Sequence, residues 1–270
     1  MEEKILEDIK IVAKQAGQAV LSFYGSDLGV EMKDDQSPVT LADKESNRII
    51  LSGLADYGYG LVSEEIEDNQ DRLSQDRVWI IDPLDGTKDF IHQTGDFSIL
   101  IALVERDGQS FKPILSLVYL PAQDLLYFAR KGRGSFVQWG ESSPLRLKVN
   151  NVKEFSRFVL IGSRFHSCEL EDRLFQDLGM KERITCGSVG VKISRIASGQ
   201  ADLNINPSSK TWEWDVCAPE LILEEAGGKL TDLEGRIFSY NKENLRNDNG
   251  YIASSGDCHN YLIKKIQEYM

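Results

Sequence analysis

Trp79-Ile80-Ile81-Asp82-Pro83-Leu84-Asp85-Gly86-Thr87-Lys88-Asp89-Phe90 is the stretch on which the fold and chemistry of this chain turn. The apolar run Val78-Trp79-Ile80-Ile81 reads as a short buried strand that ends abruptly at Asp82-Pro83. Ligands of α/β sheets gather at the carboxyl ends of strands, so such a strand delivers Asp82 to a candidate site. Pro83 fixes a bend that lets Asp82 and Asp85 aim at one spot. Gly86 and Thr87 then offer consecutive backbone N–H groups at an expected helix start, a cradle suited to phosphate. Acidic side chains beside an anion-binding turn need a mediator, and a hard divalent cation such as Mg²⁺ meets that need. The plain alternative is an Asp-rich turn that caps a helix.

Upstream, Ile5, Ile9, Val12, Ala13, Ala16, Ala19, Val20 and Phe23 recur at helical spacing ahead of Gly25, a residue suited to a helix C-cap. A second helix is expected from Thr40, with Ile49, Ile50 and Leu54 inward, followed by turns around Gly58 and Gly60. Downstream, residues 97–105, 113–120, 124–130 and 133–138 read as an antiparallel meander, with Pro113 at a strand start. After about residue 150, strands at 157–161, 201–206 and 249–253 alternate with helices at 168–178, 188–199 (N-cap Ser188), 216–226 and 257–269. The expectation is an α+β half over residues 1–150, then an α/β half over 151–270, the two sharing a cleft.

Composition narrows the function classes. The chain has 270 residues, 41% of them hydrophobic and 27% charged, as in ordinary globular proteins. Its net charge of −12 repels nucleic acid, and no basic stripe with interleaved aromatics offsets it. The longest apolar run, Ile99 to Val104, is far too short to span a bilayer, and the acidic, amphipathic start lacks a secretory core. A soluble cytoplasmic protein acting on a small molecule is expected. Cys168, Cys186, Cys217 and Cys258 form no C-x-x-C pair, and His92, His166 and His259 are too scattered for a zinc site.

Three further acidic places carry weight. Ser63-Glu64-Glu65 follows the apolar pair Leu61-Val62, so the glutamates lie at a strand end or on a solvated edge. Asp43 stands three residues after Thr40, the spacing of a capping box. Trp212-Glu213-Trp214-Asp215-Val216-Cys217-Ala218-Pro219-Glu220 puts Asp215 near a helix start, since Pro219 is not expected deep inside a helix, and Asp215 there suits an N-cap, a ligand or both. The spacing D-x-x-D-G-T differs from the D-x-D-G-T of haloacid-dehalogenase-like phosphatases, which disfavours an aspartyl-phosphate route. A Walker A loop fails as well, because Asp85-Gly86-Thr87-Lys88 lacks the glycine spacing and the G-K-[ST] order.

Together these motifs resemble the inositol monophosphatase superfamily of metal-dependent phosphatases. Its signature of an aromatic, then hydrophobic-D-P-hydrophobic-D-G-T-x-x-F, matches Trp79 to Phe90, and W-D-x-[AC] followed by a helix and G-G matches Trp214 to Gly228. Ser37-Pro38-Val39-Thr40, Lys88, the W-D-x-C-A-P-E run, Gly162-Ser163-Arg164-Phe165-His166 and Gly187-Ser188-Val189-Gly190-Val191-Lys192 are similar to the 3'(2'),5'-bisphosphate nucleotidase branch. Phe165 departs from that branch, standing where a small residue is usual.

The resemblance implies a layered α-β-α-β-α sandwich of the inositol monophosphatase and fructose-1,6-bisphosphatase type. It implies two or three Mg²⁺ ions on Glu64 (rather than Glu65), Asp82, the carbonyl of Leu84, Asp85 and Asp215. Glu64 counts with the catalytic set, while Asp43 and Thr87 would orient and deprotonate the attacking, metal-activated water. Gly86 and Thr87 would hold the scissile phosphate, and Ser163, His166, Ser188 and Lys192 the nucleotide and its second phosphate. The implied reaction takes 3'-phosphoadenosine 5'-phosphate to AMP and phosphate, with lithium inhibition and a link to sulfur metabolism. An inositol-1-phosphate phosphatase is the nearest alternative, fructose-1,6-bisphosphatase activity a lesser one and a noncatalytic metal- and phosphate-binding protein a remote one. Monomer and homodimer both stay open.

Overall fold

The computed structural model describes residues 2–25, 31–32, 38–165 and 168–270. Its helices are α1 (Glu2–Phe23), α2 (Leu41–Leu54), α3 (Thr87–Ile91), α4 (Glu169–Asp177), α5 (Val189–Ala197), α6 (Glu213–Glu225) and α7 (His259–Tyr269). The first sheet takes its seven strands in sequence order: β1 (Gly60–Ser63), β2 (Arg77–Asp85), β3 (Ser98–Asp107), β4 (Ser110–Leu120), β5 (Leu125–Arg130), β6 (Gly134–Trp139) and β7 (Leu145–Arg146). Only β1 and β2 pair in parallel; the remaining neighbours are antiparallel. The second sheet holds β8 (Val159–Ser163), β9 (Glu182–Cys186), β10 (Leu203–Asn206), β11 (Lys229–Thr231) and β12 (Tyr251–Ser254), in spatial order β9-β8-β10-β12-β11.

Side-chain alternation sets the layers. Along β2 and β3, Trp79, Ile81, Ile99, Ile101 and Leu103 enter a core shared with α1 and α2. Their neighbours Val78, Ile80, Leu100, Ala102 and Val104 enter the opposite core, shared with α5 and α6. A strand buried on both faces reads as one unbroken apolar run, which is why Ile99 to Val104 shows no polar alternation. The second sheet lies against the far side of α5, and its outer face buries Leu160, Leu203 and Ile252 with Leu174 of α4 and Leu262 and Ile266 of α7. The stack is therefore helix, sheet, helix, sheet, helix, the layered sandwich expected above.

Local departures have physical causes. β2 does not stop at Ile81 but runs through Asp85, with a register irregularity between Asp82 and Asp85 that accommodates Pro83. Pro113 lies inside β4 rather than at its start, at the register shift opposite Leu103 and Val104, where no ladder N–H is needed. Gly60 opens β1 instead of a turn, and residues 155–157 form a 3₁₀ turn before β8. Helix α6 begins at Glu213 and carries Pro219 in its interior, which removes the hydrogen bond the Asp215 carbonyl would accept at i+4. Two short ribbons escaped the sequence: Glu31–Met32 with Pro38–Val39, and Thr211–Trp212 with Arg246–Asn247. No helix among the described residues is long and apolar enough to cross a membrane.

Candidate active site

The irregular end of β2 is built from its own sequence. The Asp82 carboxylate accepts the N–H of Leu84 at 3.0 Å, closing an Asx turn around Pro83. Ser46 of α2 donates to the carbonyl of Pro83 at 2.7 Å and fixes that turn against the first helical layer. Gly86 follows at φ +92°, a left-handed conformation that turns the chain into the single turn of α3. The first N–H groups of that turn have no partner inside a helix, as a phosphate cradle requires.

Asp43 caps α2 and also reaches the end of β2. One carboxylate oxygen accepts the Thr40 N–H at 2.7 Å and the Thr40 hydroxyl at 2.6 Å, completing the capping box of α2. The other accepts the Thr87 hydroxyl at 3.2 Å, and that hydroxyl also lies 3.2 Å from the carbonyl of Leu84. Burial, helped by Glu65 and Glu64, pushes the Asp43 carboxyl up to about 6 against the pull of Thr40. Cap and candidate base are thus one side chain, joined through Thr87 to the end of β2.

Asp85 clasps the first sheet to α5. One of its oxygens accepts the Val189 N–H at 3.1 Å; the other accepts the Gly190 N–H at 2.7 Å, the Ser98 hydroxyl at 3.0 Å and the Ser188 hydroxyl. Ser188 also accepts the Val191 N–H at 3.0 Å as the N-cap of α5 and is fully buried. Its setting is therefore that of a strut behind Asp85, different from the substrate contact expected above. A Cβ at Gly187 would stand 1.3 Å from Asp89, so only glycine lets the chain enter α5 this close to α3. Ser98 carried no sequence signal beyond being a hydroxyl at the edge of an apolar run.

Glu64 and Asp215 complete the acidic set. Ser63 pairs with Ile81 in the parallel β1–β2 register, and the Glu64 N–H donates to the Ile81 carbonyl at 3.2 Å, placing Glu64 beside Asp82. Asp215, in the first turn of α6, spends one oxygen on the Trp212 N–H at 2.7 Å, repeating the arrangement of Asp43 and Thr40. Burial drives the carboxyls of Asp82 and Asp215 well above the usual carboxylate range. Glu64 and Asp85 raise both of them further, and Lys192 partly offsets the effect at Asp215.

The donor chemistry can be tested against the cation expected there. Among the described residues Asp82, Asp85 and Asp215 have no ion-pair partner, and no three acidic, His or Cys side chains close into a metal cluster as they stand. What is gathered is a set of hard oxygen donors at repulsive range, two of them deeply buried. Unpaired buried carboxylates are costly, and a small divalent cation is the partner such oxygens accept. Glu64, Asp82, Asp85, Asp215 and the Leu84 carbonyl therefore fit Mg²⁺.

Next to Asp215 opens a cavity of about 580 Å³ whose walls include Ser163, Lys192, Ile205, Asn206 and Lys210. Lys192 is buried on α5, and Ser163 ends β8. His166 lies outside the described residues. Lys210, which also lines the cavity, was not singled out by the sequence.

Across residues 1–270 the chain matches the model of the Inositol monophosphatase family. It belongs to that family. It is 32% identical over 262 residues to the 3'(2'),5'-bisphosphate nucleotidase CysQ of Aggregatibacter actinomycetemcomitans, covering 94% of each chain. The crystal structure of CysQ from Bacteroides thetaiotaomicron superposes with a TM-score of 0.78 at 28% identity, covering 94% of this chain and 98% of that one. An IMPase/NADP phosphatase solved with Mg²⁺ and phosphate gives a TM-score of 0.81 at 24% identity, over 97% and 94%, a likeness of fold.

Proposed function

We propose that the chain is a Mg²⁺-dependent phosphoric monoester hydrolase that takes 3'-phosphoadenosine 5'-phosphate to AMP and phosphate. The observation that carries this reading is the set of Asp82, Asp85 and Asp215 beside the Gly86-Thr87 turn, without an ion-pair partner among the described residues, with Asp215 lining a cavity that Lys192 also lines. The nucleotidase name borne by relatives 32% identical to the chain supports the substrate class. In this reading residues 1–150 supply the cradle and most metal ligands, while residues 151–270 supply Asp215 and the nucleotide contacts.

Bound Mg²⁺ would supply positive charge beside the phosphoryl oxygens and make a neighbouring water more acidic. Amide N–H groups of Gly86 and Thr87 receive the equatorial oxygens and stabilise the charge that builds there. Asp43, acting through the Thr87 hydroxyl, orients the water and takes its proton as the phosphorus–oxygen bond forms. The bond to the 3'-oxygen breaks in line, and that oxygen takes a proton from a second water as the nucleoside 5'-phosphate leaves.

Thr87→Val separates the two duties of Asp43, because the Thr40 contacts stay intact. Its expected effect is a loss of roughly 10²-fold in kcat with the melting temperature nearly unchanged, read by steady-state kinetics and calorimetry. Lys192→Ala is expected to raise KM for the nucleotide bisphosphate at least about tenfold more than for a phosphate monoester lacking the second phosphate. The deciding experiment is phosphate release from 3'-phosphoadenosine 5'-phosphate and from inositol 1-phosphate, side by side with Mg²⁺. A faster rate on the inositol ester would move the chain to the other branch of the family.

A further inference from the structure

The second phosphate of the proposed substrate carries up to two negative charges, and the structure shows how little of Lys192 is available to meet them. Lys192 is 5% exposed, and its positive charge acts on both Asp215 and Glu171 in the same cavity wall. Glu171 is itself paired with Arg183 at 3.0 Å. One lysine shared with two acids does not balance a dianion in a protein whose net charge is −12.

The same cavity lining supplies another cation. Lys210 lines the cavity, is exposed and makes no ion pair among the described residues. The loop that carries it is held in place rather than trailing in solvent. The Ser208 N–H donates to the Asn206 side chain at 3.0 Å, and the Lys210 N–H donates to the Ser208 hydroxyl at 3.1 Å. Arg246 donates to the Ser209 carbonyl at 3.1 Å, and the next residues, Thr211–Trp212, are pinned by the ribbon with Arg246–Asn247. Pro207 stiffens the approach.

We propose that Lys210 is a specificity-determining residue that binds the phosphate not being removed, together with Lys192, which lines the same cavity. The proposal rests on the nucleotidase reading above. An exposed ammonium on an anchored loop can meet the phosphate that is kept, while Asp215, which lines the same cavity, belongs to the acidic set proposed to gather Mg²⁺ around the phosphate to be cleaved. A substrate with only one phosphate never engages Lys210.

The experiment compares wild type, Lys210→Ala and Lys210→Arg on adenosine 3',5'-bisphosphate and on adenosine 3'-monophosphate, and measures AMP binding by calorimetry. In Lys210→Ala, KM for the bisphosphate should rise at least about tenfold more than KM for the monophosphate, and AMP should bind at least about tenfold more weakly. Lys210→Arg should recover most of both. Equal KM changes on the two substrates, or unchanged AMP affinity, would overturn the assignment. A wild type with no preference for the bisphosphate would count against the nucleotidase reading instead, and the AMP measurement would still decide Lys210.

Discussion

Asp82→Asn is expected to lower kcat at least about 10³-fold and, in the metal-free protein, to raise the melting temperature. The activity loss follows from removing one of the buried anionic oxygens that would hold Mg²⁺ beside the phosphoryl group. The stability gain follows from electrostatics. Asp82 is 2% exposed, and burial together with Glu64, Asp85 and Asp215 lifts its carboxyl above the unfolded-state value. A carboxyl raised on folding costs stability once pH exceeds its unfolded value, and the cost is complete above the folded value. At neutral pH wild type bears that cost. The amide does not, and its oxygen still accepts the Leu84 N–H now held at 3.0 Å. Calorimetry in EDTA at neutral pH should therefore rank the variant above wild type, with the gap narrowing as the pH is lowered toward the unfolded carboxylate range. Adding Mg²⁺ should reverse the ranking, because a ligand stabilises only the state that binds it. A variant less stable than wild type in EDTA would mean that the acids do not repel one another as the structure has them.

How much of this was legible in the chain depends on where each signal resides. The apolar runs and turn residues of 79–90 and 97–138 carry the first sheet, because strands buried on both faces leave unbroken hydrophobic segments. Asp43 was legible as a cap from its spacing to Thr40, but its hydrogen bond with Thr87 joins residues 44 apart. The clasp on Asp85 was not legible at all. It depends on backbone N–H groups of Val189 and Gly190, which have no sequence identity, and on Ser98, whose burial is a tertiary fact. Pro219 misled for a related reason. A proline interior to a helix is costly in isolation, yet tertiary packing of α6 between the sheets, where Val216, Leu221 and Ile222 are buried, outweighs it.

Asp85→Asn makes the same chemical change as Asp82→Asn, and its expected effect on stability has the opposite sign. Turnover should again be lost, but the fold should weaken by about 3 kcal/mol, which lowers the melting temperature by roughly 6–12 °C in a chain of this size. Both carboxylate oxygens of Asp85 accept from backbone: Oδ1 from Val189 and Oδ2 from Gly190. An amide offers one oxygen and one NH₂, so either orientation sets a donor against a fixed N–H in a buried place. The hydroxyls of Ser98 and Ser188 can rotate to accommodate the change; the two N–H groups cannot. Ser188→Ala is the control, since it leaves both backbone contacts to Asp85 and removes one hydroxyl that serves Asp85 and caps α5, and it should cost about 1–2 kcal/mol. Denaturant unfolding of the three variants in EDTA would read these differences directly. If Asp85→Asn proved as stable as wild type while losing turnover, the carboxylate would not be the clasp between the first sheet and α5. Its contribution would then lie in holding the cation alone.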